Sequence, residues 1–213
     1  MVFEGLGFGR MVSQTMIDSA RSIVGAWLPK YPTVSPWVDD EARAALRRSE
    51  DVWLAKFGGL DSLTQTQLHE LITWKWRSRR PQLSRSQEGA GDNWDHASDC
   101  IARALAEVDA NAAIDALRGP TGGVRNWQTA MASVVLAACR PECYTIADSR
   151  ALRTMMLLEG KPRRAIDNTN YFQRHHWDRY LVNCRALREE LHVRLRDLDR
   201  AFWASAGQPC PAS

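Results

Sequence analysis

Three parts of this sequence have chemistry to offer: an aspartate at the start of a helix, a glycine-rich turn upstream of it, and tryptophans interleaved with cations. The aspartate is Asp148, which closes Ile146-Ala147-Asp148 before a helix beginning near Ser149. Asp is a favoured N-cap because its carboxylate accepts from the first free amides of a helix. The same carboxylate, held in place, can stabilise positive charge on a neighbouring carbon and orient or deprotonate a water. The turn is Gly119-Pro120-Thr121-Gly122-Gly123, too rich in Gly and Pro for helix or strand. Glycines let successive amides turn toward one point, and the helix that follows adds the partial positive charge of its N-terminus, which suits a phosphate. Gly122, Gly123, Arg125, Asn126 and the amides around Gln128 are the candidates, with an ordinary helix-to-helix turn as the alternative. The third part is ITWKWRSRR, residues 72–80, with Trp74, Lys75, Trp76, Arg77, Arg79 and Arg80. Aromatic faces among cations can stack on a base and contact phosphate. Two core tryptophans on a helix with a solvated basic end is the plainer reading.

These residues need helices to position them, and the apolar spacing is helical throughout. A first amphipathic helix runs from about Val12 to Leu28 and is broken by Pro29, Pro32 and Pro36. A second, about Val38 to Phe57, places Ala42, Ala45-Leu46, Val52-Trp53 and Phe57 on one face and ends at Gly58-Gly59. Thr64-x-x-Gln67 has the form of a capping box before a third helix with Leu68, Leu71-Ile72 and Trp76 inward. Residues 81–93, PQLSRSQEGAGDN, read as a mobile loop. Helices are then expected from Trp94 to Val108, over Ala112 to Arg118, from Trp127 to Cys139 and from Ser149 to about Leu158. Asn168 to Leu191 reads as a long helix with Tyr171-Phe172, His175, Tyr180-Leu181 and Leu187 as its apolar positions, and Leu195 to Ala206 as the last. His175 and His176 read as packing residues beside Trp177. No segment alternates with the period of a strand, so the fold class is all-α. One domain covers residues 11–206 around a hairpin core at 112–158. Residues 1–10 are expected to be poorly ordered, Met11 is a candidate alternative start, and 207–213 form a tail.

Composition narrows the field less than the motifs do. The chain has 213 residues, 45% hydrophobic and 25% charged, and a net charge of +3, too small to argue for nucleic acid by itself. Only four of its 28 basic residues are lysines, and arginine suits bidentate phosphate contacts. Five cysteines without paired C-x-x-C spacing argue against a disulfide framework and for a cytoplasmic location. Cys139 and Cys143 flank a short loop but have no further ligands near them, so no metal is expected. No apolar run reaches membrane-spanning length, and no membrane partner is expected.

The order helix, Gly hairpin, helix, loop, Asp at a helix start resembles the core of the helix-hairpin-helix (HhH-GPD) DNA glycosylase superfamily. The resemblance is carried by the small-residue helix Thr129-Ala130-Met131-Ala132-Ser133-Val134-Val135-Leu136 and by Ile-Ala-Asp-Ser-Arg-Ala-Leu at 146–152. It covers about a sixth of the chain, and the hairpin departs from the usual Leu-Pro-Gly-Val-Gly form. The resemblance implies a two-lobed helical fold with a cleft between the lobes, and Asp148 as the catalytic carboxylate. By helix order, Trp74, Lys75 and Trp76 would wall the base pocket. Some relatives hold an iron–sulfur cluster on four C-terminal cysteines; only Cys184 and Cys210 lie in the last third here, so no cofactor is expected. Others carry a lysine near the hairpin helix that forms an imine and nicks the strand. Ala130 takes that position, and none of Lys30, Lys56, Lys75 and Lys161 lies in the hairpin segment. The reading is therefore a monofunctional glycosylase with water as nucleophile, a monomer acting on double-stranded DNA that carries a modified base. It would serve base-excision repair or defence against phage DNA with modified cytosines. A non-catalytic DNA-binding module, with Asp148 only a cap, and a helical protein–protein adaptor remain as alternatives.

Overall fold

The computed structural model describes residues 12–31, 50–76, 79–206 and 208. The expectations for residues 1–11, for the part of the second helix before Glu50 and for most of the tail lie outside them. Every regular element among the described residues is helical; an isolated bridge, Arg118 to Val124, closes the hairpin. In chain order they are α1 (Gln14–Trp27), α2 (Glu50–Leu54), α3 (Gln65–Trp76), α4 (Arg80–Gly91), α5 (Trp94–Ala106) and α6 (Ala110–Leu117). A 3-10 turn at Gly119–Thr121 leads to α7 (Thr129–Cys139), α8 (Ser149–Leu158), α9 (Arg163–Asp167), α10 (Arg174–Leu191) and α11 (Leu195–Ser205).

α7 is the central element, because Thr129 and every residue from Met131 to Cys139 are buried. A helix apolar all round has nowhere to go but the middle of the core. Around it pack α3, α5 and α6, with α4 bound to α3 and α5. The N-terminal α1 does not join these. It packs on α8, α10 and α11 from the far end of the chain, and α6 against α10 connects the two sets. The Asp115 carboxylate of α6 fastens that contact, since Arg174 of α10 donates to it through Nε at 2.8 Å and through its terminal nitrogen at 2.9 Å. The capping box before α3 is formed: the Thr64 amide donates to Gln67 Oε1 at 2.8 Å and the Gln67 amide to Thr64 Oγ1 at 3.2 Å.

Three expectations are corrected. The sequence PQLSRSQEGAGDN is a helix rather than a mobile loop, with Pro81 in its first turn, where a missing amide costs nothing. Its glycines mislead because one of them, Gly89, serves packing: a Cβ there would stand 1.8 Å from the Arg125 carbonyl oxygen. The Trp127 indole donates to the Ser86 carbonyl at 3.1 Å in the same contact. Val52 is 77% exposed instead of inward, because α2 turns Glu50 and Asp51 toward the arginines of α11. Tyr171 and His175 are exposed too, since the long helix begins only at Arg174 and buries Trp177, Tyr180, Leu181 and Cys184. His176 shares a capping box with Gln173 and lies edge-on to the buried Phe172 ring at 5.8 Å, a packing residue as expected.

The two glycines of α4 make a paired test. Gly89→Ala forces α4 off the hairpin and is expected to cost about 1–3 kcal/mol. Gly91→Ala, whose Cβ meets nothing within 4 Å, is expected to be neutral or to stabilise by up to about 1 kcal/mol. Thermal or denaturant unfolding of both variants measures the difference.

Candidate functional site

Asp148 sits where the sequence puts it, in extended conformation as the N-cap of α8, and its Oδ1 accepts from the Arg150 amide at 3.0 Å. Its other oxygen is engaged from elsewhere. Lys75 Nζ, from the last turn of α3, stands 3.3 Å from Asp148 Oδ2 across 73 residues of sequence. The Lys75 side chain is 8% exposed and that of Asp148 26%, so the amine is the more enclosed of the two and the carboxylate the more approachable. The loop that delivers Asp148 is pinned to the hairpin helix: Ser133 Oγ of α7 accepts from the Ala147 amide at 2.8 Å, and Ala147 is fully buried. Behind Asp148, Arg150 donates through Nε to the Trp203 carbonyl at 3.1 Å and lies 4.3 Å over the Trp203 ring.

The electrostatics follow from this packing. Burial pushes the Asp148 carboxyl up, but the Lys75 ammonium and the Arg150 amide outweigh it and hold the group below the usual carboxylate range. For Lys75, burial lowers the amine first and most; Asp148 raises it in part, and the Arg196 and Arg79 cations lower it again, leaving it below the usual lysine value.

The three residues expected to wall a base pocket, Trp74, Lys75 and Trp76, all lie in the last turn of α3 and are partly buried. Consecutive helix residues point about 100° apart, and each has its own partner: Lys75 meets Asp148, Trp74 meets the Arg196 guanidinium at 5.7 Å, and the Trp76 ring lies 5.7 Å from Lys75 Nζ. The Trp76 indole N–H is buried with no acceptor among the described residues, a donor left over beside the amine. Arg77 lies outside the described residues.

The hairpin separates its candidates. The Gly122 amide donates to Gly119 O at 3.1 Å and that of Gly123 to Arg118 O at 2.8 Å, so both serve the turn itself. Gly122 takes φ +84°, and a Cβ on the buried Gly123 would stand 2.5 Å from the Leu117 carbonyl carbon; both positions need glycine. The surface is left to Arg125, Asn126 and Gln128, all exposed. Their amides donate to no backbone carbonyl among the described residues. Arg125 pairs with Asp92 at the end of α4, an exposed contact that screening keeps weak. The Asn126 side chain donates to the Arg85 carbonyl at 3.2 Å.

What sequence reasoning missed is the reach of Lys75. A search along the hairpin helix for an amine rightly finds none, since Ala130 stands there, but an amine arrives from α3. Ser133, Arg150 and Arg196 were not singled out either. Only Ser133, a polar residue in an otherwise apolar helix, had a local signal. Among the described residues no three His, Cys, Asp or Glu side chains form a metal cluster, and no helix is long and apolar enough to cross a membrane. No family model, curated protein or solved structure matches this chain.

Asp148→Asn keeps an acceptor for the Arg150 amide and removes the charge opposite Lys75. It is expected to cost on the order of 1–3 kcal/mol at neutral pH. Lys75→Met should cost less, because it also removes the burial penalty of the amine. Since the folded-state carboxyl is lowered, the contribution of Asp148 is fully present above the ordinary carboxylate range and lost as pH falls through the lowered value. Urea titrations between pH 7 and pH 2 should therefore show wild type and Asp148→Asn converging at the acid end.

Proposed function

We propose that the protein is a DNA glycosylase of the helix-hairpin-helix type, which excises a modified base and leaves an abasic site. The observation that carries this reading is the Lys75–Asp148 pair: a carboxylate held charged, a quarter open to solvent, and fastened through Ser133 to the helix that follows the Gly hairpin. The grouping of α1 with α8, α10 and α11, apart from α3 to α7, supports two lobes with the pair at their junction.

Duplex DNA would lie against Arg125, Asn126 and the amides leading into α7, a contact that positions the backbone and reads no sequence. The extruded nucleotide would bring its sugar to Asp148. Departure of the base builds positive charge on C1′, which the carboxylate stabilises while it orients the water that attacks there. Lys75, donating to Oδ2, keeps the carboxylate ionised and fixed in direction.

A second reading draws on the position of Lys75 itself. An amine lowered by burial can act as the nucleophile. Its bond to C1′ would replace the bond to the base, which leaves with a proton; breaking of the C1′–O4′ bond, with the second amine proton passing to O4′, would then give an imine that permits strand cleavage. The substrate base is open on either route, in repair or in defence against phage DNA with modified cytosines.

Base release from a panel of modified DNAs, phage genomes included, tests the proposal by mass spectrometry and by alkaline cleavage at abasic sites. The expected result is a free base with strand breaks that need alkali. Asp148→Asn should lower release at least about a hundredfold while leaving DNA binding intact. Breaks without alkali, with borohydride trapping of the chain on DNA lost in Lys75→Met, would select the amine route. Salt-sensitive binding with no base released would make the hairpin a DNA-binding module and Asp148 a helix cap.

A further inference from the structure

A buried charge cluster lies beside the site without belonging to it. Glu50 of α2 has a fully buried side chain, and Arg196 of α11 donates to it through Nε at 2.6 Å. Arg196 also pairs with the buried Asp199, one turn further along α11. The Tyr31 hydroxyl donates to Glu50 at 2.7 Å, and Arg200 reaches Glu50 at 3.3 Å and Asp51 at 2.6 Å. Tyr180 of α10 donates to Asp199 at 3.4 Å. Holding so many ions out of water is expensive, and an apolar interface between α2 and α11 would serve stability as well. The cluster also has a direction: the Arg196 guanidinium lies 5.7 Å from the Trp74 ring centroid, and Trp74 is the residue before Lys75.

We propose that Arg196 is a positioning residue for the site: clamped by Glu50 and Asp199 and laid against Trp74, it holds the last turn of α3 so that Lys75 reaches Asp148, and its fixed positive charge acts on the amine. A guanidinium stays charged at any working pH, so its effect on Lys75 has one sign. It opposes the ammonium form, as a second cation does beside an amine nucleophile. The charges that face the amine are Asp148 from the loop before α8, Arg196 from α11 and Arg79 from the start of α4. Tyr180 of α10 faces Asp148 and Arg196. The catalytic consequence rests on the reading of Asp148 as the reacting carboxylate; the coupling of Arg196 to Lys75 does not.

The chain's four lysines permit a direct test. In full-length protein labelled with 13C-lysine, Lys75 is assigned by its loss in Lys75→Met, and its Cε resonance is titrated from pH 6 to pH 11. Arg196→Gln is expected to raise the Lys75 midpoint by about one unit, with Lys30, Lys56 and Lys161 unmoved. Asp199→Asn, which removes a counter-charge from Arg196 and keeps an acceptor for Tyr180, is expected to lower it. Should Arg196→Gln not fold, Asp199→Asn and Arg196→Lys decide alone, the latter keeping the charge and shifting the midpoint by less than about half a unit. A Lys75 midpoint that stays put in folded Asp199→Asn, with only the unfolding temperature reduced, overturns the proposal and leaves Arg196 a brace for α2. If wild type releases no base while the lysine shifts appear as expected, the glycosylase reading fails and the coupling stands.

Discussion

An ammonium and a carboxylate taken out of water are each costly, and they offset that cost only at contact. Lys75 and Asp148 meet this condition from opposite halves of the sequence, and much of the fold can be understood as what keeps them together. α3 must end where it does, so its last turn is gripped by Arg196 on the Trp74 side. Asp148 must be delivered at one height on α7, so Ser133 spends its hydroxyl on the Ala147 amide. α8 must start there as well, so the aspartate doubles as its cap. The two roles for Asp148 do not compete, because each uses a different oxygen of one carboxylate.

The hairpin solves a separate problem with the same economy. Its glycines are consumed in making a turn tight enough for backbone to cross backbone at Gly123, and the resulting surface presents Arg125, Asn126 and Gln128, whose amides donate to no backbone carbonyl among the described residues. Selection for an anion contact would thus act on these residues and on the shape of the turn, rather than on amides of the glycines themselves.

Much of the architecture was legible in the sequence, for physical reasons that differ by element. α7 and α8 declare themselves by unbroken apolar run and by cap, both local properties, and their boundaries fall within a residue or two of expectation. The capping box before α3 is likewise local. α4 was illegible because a glycine that allows close packing and a glycine that breaks a helix are the same letter; only the carbonyl of Arg125, 36 positions away, tells them apart. α2 misled at Val52 because helical spacing assumes that inward positions are apolar, and here Glu50 takes a buried place beside Arg196. At the site, Asp148 could be found from its own neighbourhood. Lys75 could be flagged as interesting but not placed, since nothing within a window around it encodes a partner on the far side of the hairpin.

The Gly89 contact also works as a ruler. α4 runs from the end of α3, where the amine is anchored, to the hairpin, and a straight helix of this kind spans about 1.5 Å per residue with little give. From Arg80 to Gly89 that is roughly 14 Å, set by backbone geometry and not by any side chain. The end of α3 and the hairpin are thus spaced by a helix, and one residue inserted into or removed from α4 would shift one anchor against the other by about 1.5 Å.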